Sequence, residues 1–156
     1  YAGLMIDAQG TPKTLEFNCR MGDPETQPIV LRLKSDLVDL LEHAVYGTLD
    51  SINAEWDRRV ALGVVLAAAY YPETPRKGDV IHGLPAGGED YHVFHAGTAL
   101  NAAGEVITSG GRVLCVTALG DKVQLAQQRA YQVAEPIEFS GRQMRRDIGY
   151  RAIGRK

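Results

Sequence analysis

An unbroken apolar run, Ala61 to Tyr71, constrains this chain more than any other feature; it is 11 residues long and includes Gly63. A helix crossing a membrane needs about 20 such residues. The run therefore predicts a buried strand over Arg59–Tyr71, broken by Pro72 and Pro75, and no membrane partner. With 156 residues, 45% hydrophobic and 23% charged, the chain has the composition of a globular protein rather than a disordered one. That length accommodates one compact domain, or one small domain and part of another. A sequence pI of about 6.1 argues against a dedicated nucleic-acid binder, which would be strongly basic. The first residue is Tyr1, inside an apolar stretch, and the expectation is a processed chain or a fragment cut within a strand.

Around the central run the pattern predicts several further elements. Tyr1–Asp7 and Lys13–Arg20 read as the two strands of a hairpin, joined by the turn Ala8-Gln9-Gly10-Thr11-Pro12. Met21–Pro28, rich in Gly, Pro and acidic or amide side chains, reads as a loop. Ser35-Asp36 is a helix N-cap before Leu37, Leu40, Leu41, Ala44 and Val45 at helical spacing, and Gly47 is placed to end that helix. Beyond residue 71, short strands are expected near Asp79–His82, Tyr91–Leu100, Val106–Thr108 and Arg112–Ala118, with Gly-rich turns between them. An amphipathic helix over Asp121–Val133 carries Val123, Ala126, Ala130 and Val133 on one stripe, and a last short helix is expected from Arg142 to about Ala152.

Charge divides the same chain. Residues 1–58 hold five Lys/Arg against ten Asp/Glu, a balance of −5; residues 59–156 hold twelve against nine, a balance of +3. The expected domain junction is therefore near Trp56–Arg59. Cys19 and Cys115 lie far apart, with no CxxC or Cys/His spacing for zinc. They are expected as reduced, buried small side chains, and the compartment as the cytoplasm.

The chemically richest stretch runs from Glu16 to Pro28. On an extended strand Glu16, Asn18 and Arg20 share one face, and Phe17 and Cys19 the other. With Phe17 and Cys19 as core, a carboxylate, an amide oxygen and a guanidinium line up. Such oxygens suit Mg²⁺ or Mn²⁺, which are held by one or two protein groups plus substrate phosphates, and an adjacent Arg balances charge on a transferred phosphoryl group. The same spacing also describes a polar strand face in solvent with Glu16 paired to Arg20. Asp23 and Glu25 follow, on a loop that Gly22 lets turn tightly or on an ordinary acidic turn.

Glu16-Phe17-Asn18-Cys19-Arg20-Met21-Gly22-Asp23-Pro24-Glu25-Thr26-Gln27-Pro28 resembles the closing strand and loop of the phosphoribosylamine–glycine ligases, or glycinamide ribonucleotide synthetases, of the ATP-grasp superfamily. Leu33-Lys34-Ser35-Asp36-Leu37, Gly78 to Leu84, Val93 to Thr98, Gly110 to Leu114 and Arg146 to Ala152 resemble the same family, in the family's order, over nearly the whole chain.

The resemblance implies an α+β fold in which residues 1–58 end an ATP-grasp core, with antiparallel strands plus a helix. Residues 59–156 would form a small, mostly antiparallel β domain with one or two packed helices. It implies a ligase that joins glycine to phosphoribosylamine while ATP is cleaved to ADP and phosphate, through an acyl phosphate of glycine. Glu16 and Asn18 match the family's metal ligands and would hold ATP phosphates through Mg²⁺ or Mn²⁺. Arg20 matches a position beside the transferred phosphate in the wider superfamily, and Asp23 and Glu25 match the active-site loop, so these three are the candidate catalytic residues. Many superfamily members carry another metal carboxylate about twelve residues earlier; here that stretch is Gly3-Leu4-Met5-Ile6. A Gly-rich phosphate loop, an adenine-clamping lysine and an N-terminal substrate domain are not found in this sequence. The chain is thus expected to need the N-terminal part of the same enzyme as its partner. Two alternatives stand beside this reading: a non-catalytic module, and a related ATP-grasp ligase with another substrate.

His82, His92 and His95 do not fall on one strand face and are expected to be structural or surface residues rather than metal ligands. Gly110-Gly111 reads as a hairpin turn needing positive φ. Arg145, Arg146 and Arg151 read as a solvated cluster partly offset by Asp147, rather than a ribose-phosphate site.

Overall fold

The computed structural model describes residues 1–154. The elements, in chain order, are β1 (Ala2–Ile6), β2 (Pro12–Phe17), α1 (Thr26–Arg32), α2 (Leu37–Tyr46), a 3₁₀ turn at Leu49–Ser51, β3 (Val60–Ala67), β4 (Tyr91–His95), β5 (Thr98–Leu100), β6 (Val106–Thr108), β7 (Arg112–Gly120), α3 (Val123–Ala134), β8 (Gln143–Met144) and a 3₁₀ turn at Tyr150–Ala152. This is a mixed α/β fold with antiparallel sheets and three α-helices among the described residues. No helix among them is long and apolar enough to cross a membrane.

The run forms β3 only as far as Ala67; the strand expected to continue to Tyr71 ends there, because the chain turns through Tyr70 at φ 65°. Strand β3 pairs antiparallel with β7 on one side and β8 on the other, in the sheet order β4-β7-β3-β8. In this register Leu62, Val64 and Leu66 oppose Ala118, Val116 and Leu114. That face packs under α3 through Ala126, Ala130 and Ala134, all fully buried. Small residues at every fourth position let the helix lie close to the sheet. A Cβ added at Gly120 would stand 2.4 Å from the Ala126 backbone nitrogen. On the opposite face, where Gly63 opposes Thr117 and Val65 opposes Cys115, α1 provides the cover. The Pro28 side chain stands 3.2 Å from where a Cβ at Gly63 would lie. Both faces of the two central strands are therefore covered, which explains a strand with no polar alternation.

The first 58 residues reach this sheet through α1; among themselves they form a short pairing of Leu33 with Trp56, beside which the Asp57 N–H donates to the Arg32 carbonyl (2.7 Å). The hairpin β1–β2 is regular but for a bulge at Leu15. Helix α2 begins where expected: Asp36 Oδ1 accepts from the Val38 N–H at 2.7 Å. It ends at Gly47, which takes the left-handed conformation at φ 70°.

Several expectations are corrected. Met21–Pro28 is not all loop, because helix α1 starts at Thr26; Pro28 is tolerated in the first turn, where an N–H has no partner in any helix. Tyr91–Leu100 divides into β4 and β5 at Ala96-Gly97. Asp79–His82 forms two single bridges, Val80 with Ile107 and His82 with Glu138, because it passes from one neighbour to another. Arg142–Ala152 is no helix: its first part adds β8 to the edge of the sheet, and only three residues near its end make a 3₁₀ turn. Gly110 and Gly111 do not need positive φ. They are glycines for lack of room: a Cβ at Gly110 would lie 3.0 Å from the Gly97 Cα, and one at Gly111 2.5 Å from the Tyr71 ring.

Candidate functional site

Glu16 pairs with Gly3 across the hairpin, and two residues on the Asn18 N–H donates to the Tyr1 carbonyl at 2.9 Å, so the backbone stays extended through Asn18. The two side chains thus keep to one face. Gly3 is buried beneath Glu16, whose Cγ lies 3.1 Å from where a Gly3 Cβ would be. Among the described residues, neither the Glu16 carboxylate nor the Asn18 side-chain amide makes an ion pair or hydrogen bond. Hard oxygens of this kind suit Mg²⁺ or Mn²⁺ better than a soft metal. Among those residues there is no cluster of three or more His, Cys, Asp or Glu able to hold a metal by protein groups alone.

Arg20 falls in the bend after the strand. Its guanidinium donates to the Met21 carbonyl (3.0 Å), and its own carbonyl accepts from the Tyr1 amino terminus (3.1 Å). Phe17 and Cys19 are not core residues in this chain: Phe17 is 76% exposed and Cys19 is exposed, because nothing among the described residues packs on that side of the hairpin. Cys115 is the buried thiol, and burial pushes its pKa up, which suits packing rather than nucleophilic chemistry.

The Gly22–Glu25 loop is held more firmly. The Gly22 carbonyl accepts from both the N–H (3.0 Å) and the hydroxyl (2.5 Å) of Thr26. The Glu25 carboxylate folds over Gly22, where a Cβ would lie 2.2 Å from Glu25 Oε2. Asp23 receives Arg112 from the start of β7, at 3.1 Å to its carboxylate and 3.2 Å to its carbonyl. Beside this contact opens a cavity of about 520 Å³ lined by Pro24, Gly63, Tyr71, Arg112, Gln143 and Arg145 among others. The composition of the stretch pointed to the loop. Arg112 was legible only as the first residue of an expected strand, since its partner lies 89 residues away.

A second charged cluster was not legible in the sequence either. Arg59 grips Asp57 (2.7 Å) and Asp90 (2.5 Å), and Arg129 from α3 reaches Asp90 at 3.1 Å. The Arg59 hydrogen bonds hold the Asp57 carboxyl well below the usual carboxylate range, and those to Asp57 and Asp90 raise Arg59 further. The pairs join Asp57 and Arg59, just before β3, to Asp90, just before β4, and to α3, and they support the fold. At the other end, Arg145 pairs with Asp147 (2.7 Å), Arg146 with Glu135 (2.9 Å), and Arg151 stacks over the Tyr150 ring. His82, His92 and His95 are all exposed, with His95 Nδ1 3.1 Å from the Thr98 hydroxyl.

Residues 61–151 match the family described as phosphoribosylglycinamide synthetase, C domain. The chain belongs to that family. Among curated relatives, the phosphoribosylamine–glycine ligase of Ralstonia nicotianae is 64% identical over 155 residues, covering 99% of this chain and 36% of that protein. The Escherichia coli O157:H7 ligase of the same name is 60% identical over 157 residues, covering 100% of this chain and 37% of that protein. The chain thus spans about a third of the length of the curated relatives it matches. Among solved structures, the phosphoribosylamine–glycine ligase of Thermotoga maritima superposes with a TM-score of 0.74 at 37% identity, over 95% of this chain and 36% of that one. The family match begins one residue into β3 and takes in the whole four-stranded sheet with α3.

Proposed function

We propose that this chain is the C-terminal portion of an ATP-dependent ligase of purine biosynthesis. The parent enzyme joins glycine to 5-phosphoribosylamine and yields glycinamide ribonucleotide, ADP and phosphate. The reading rests most on one observation: the unpartnered oxygens of Glu16 and Asn18, on one strand face, within a chain similar throughout to ligases of that name. In it, residues 1–58 end an ATP-grasp core and residues 59–156 form the C-terminal domain, in keeping with the change of charge and the start of the family match.

The chemistry assigns roles by residue. A glycine carboxylate oxygen attacks the γ-phosphorus of ATP, and ADP leaves. The amine of phosphoribosylamine then attacks the carbonyl carbon, phosphate leaves, and the nitrogen gives up a proton. Glu16 and Asn18 hold Mg²⁺ or Mn²⁺, which when bound neutralises charge on the nucleotide phosphates. Arg20 turns from the Met21 carbonyl toward the transferred phosphoryl group, and Asp23 and Glu25 present carboxylates from the loop. The remaining two-thirds of the parent enzyme supplies the other side of the nucleotide site and covers the hairpin's apolar side.

The test is Glu16→Gln in the full-length ligase. Loss of about 100-fold or more in glycine-dependent ADP formation is expected, with a raised Mg²⁺ requirement. Near-normal turnover at low Mg²⁺ would sink the assignment. Formation of product from bicarbonate rather than glycine would move the chain to another ATP-grasp ligase.

The exposure of the hairpin favours a second statement, that this chain alone is a non-catalytic module. Calorimetry with Mg²⁺–ATP is expected to show no binding by the chain alone, and micromolar binding would contradict it.

A further inference from the structure

Arg112 belongs to a motif that the ligase chemistry leaves without a task. It opens β7, and its backbone is fixed there, with its carbonyl accepting from the Gly97 N–H at 2.9 Å. Its guanidinium reaches across to Asp23 with two donors. Nη2 meets the Asp23 carboxylate at 3.1 Å, and Nη1 donates to the Asp23 carbonyl at 3.2 Å. The side chains are 42% and 49% exposed, and pairs so exposed add little stability. What a planar fork gives instead is direction, because it fixes a side chain and its own main chain together.

The rest of the loop is tied at the same point. Thr26 closes it on Gly22, Pro24 lines the cavity beside Arg112, and α1 carries it onto the Gly63 face of the sheet. Among the described residues, the strand bearing Glu16 and leading to Asn18 has no comparable anchor to the sheet. The catalytic loop is therefore referenced to β7, not to the hairpin it follows.

We propose that Arg112 is a positioning residue of the ligase reaction, holding the Gly22–Glu25 loop in place by its two-point grip on Asp23. This rests on the ligase reading above. The work falls in kcat, since a loop displaced by about 1 Å is enough to cost up to about 100-fold.

The experiment compares Arg112→Met and Arg112→Lys with wild type in the full-length ligase. Arg112→Met should lower kcat by about 10- to 100-fold, leave KM for ATP within about twofold, and leave the thermal midpoint unchanged. Arg112→Lys keeps the charge but not the fork and should recover only part of the loss. A raised KM for phosphoribosylamine with unchanged kcat would make Arg112 a substrate contact and overturn the proposal. A lowered midpoint with normal kcat per folded enzyme would overturn it in favour of stability alone. Hydrogen exchange separates this test from the ligase reading. The Thr26 amide should exchange about tenfold faster in Arg112→Met, whether or not the wild type makes glycinamide ribonucleotide. Unchanged exchange at Thr26 overturns the grip, whereas an inactive wild type overturns only the ligase reading.

Discussion

The hairpin β1–β2 and the sheet β4-β7-β3-β8 are built from similar alphabets, yet they meet opposite fates in this chain. Both carry large apolar side chains on antiparallel strands, and each pairing has one register shift. In the sheet, Val64, Leu66, Val113 and Val116 are sealed between α1, α3 and their neighbours. In the hairpin, Leu15 and Phe17 are exposed, and on α2 Val45 is 83% exposed. Backbone pairing and side-chain burial are therefore separate achievements. Pairing needs only a neighbouring strand, whereas burial needs a third element on the face, and the first region has none among the described residues. Two-stranded hairpins without such cover are marginal in water.

Truncation offers the strongest contrast. Leu66→Ala, at a fully buried site, should destabilise the chain by about 2–5 kcal/mol, while Phe17→Ala should stay within about 0.5 kcal/mol. Urea unfolding of both variants reads the difference, and equal effects would mean the hairpin is packed as tightly as the sheet. Next comes Gly97→Ala, whose Cβ would meet the Gly110 Cα at 2.6 Å and the Arg112 carbonyl at 2.7 Å. These are backbone atoms that cannot swing away, so about 1–3 kcal/mol of destabilisation is expected in the same measurement. Asp36→Ala removes the cap on Val38 and should cost about 1 kcal/mol, seen as faster amide exchange confined to α2. If β3 and β7 amides also accelerate, the two regions unfold together and the contrast fails.

The smallest effect concerns pH. Asp57 ionises more readily when folded, because Arg59 hydrogen-bonds to its carboxylate. Its stabilising contribution is complete above the unfolded carboxylate pKa of about 3.9 and is lost as pH falls through the lower folded value. Asp57→Asn should therefore flatten the stability–pH curve below about pH 4 and leave its shape near neutrality unaltered. Acid titrations of both proteins followed by circular dichroism check this, and identical acid limbs would show that the Asp57–Arg59 pair contributes nothing.

Local chemistry made the helix at Leu37–Tyr46 and the hairpin turn legible, since Asp36, Gly47 and the Ala8–Pro12 turn act within a few residues. Helix α1 was hidden by Pro28, whose breaker signal outweighs a seven-residue helix that tertiary contact stabilises. The Arg142–Ala152 stretch resembled a helix in composition, but β3 had a free edge there and took Gln143–Met144 as a strand. At the site, the residue types and spacing of Glu16, Asn18, Asp23 and Glu25 drew attention unaided.

The sequence by itself determined the elements whose causes are short-range: caps, turns, the pairing of nearby strands, and a strand too apolar to face water. It also determined the family likeness carried by the loop after β2. Only the tertiary structure decided which apolar faces are covered and which charges meet across the chain. Arg112 and Asp23, or Arg59 and Asp90, come together because sheet pairing and helix docking bring distant residues within 3.1 Å of each other or closer. That closeness follows from the whole core's packing, and no local pattern encodes it.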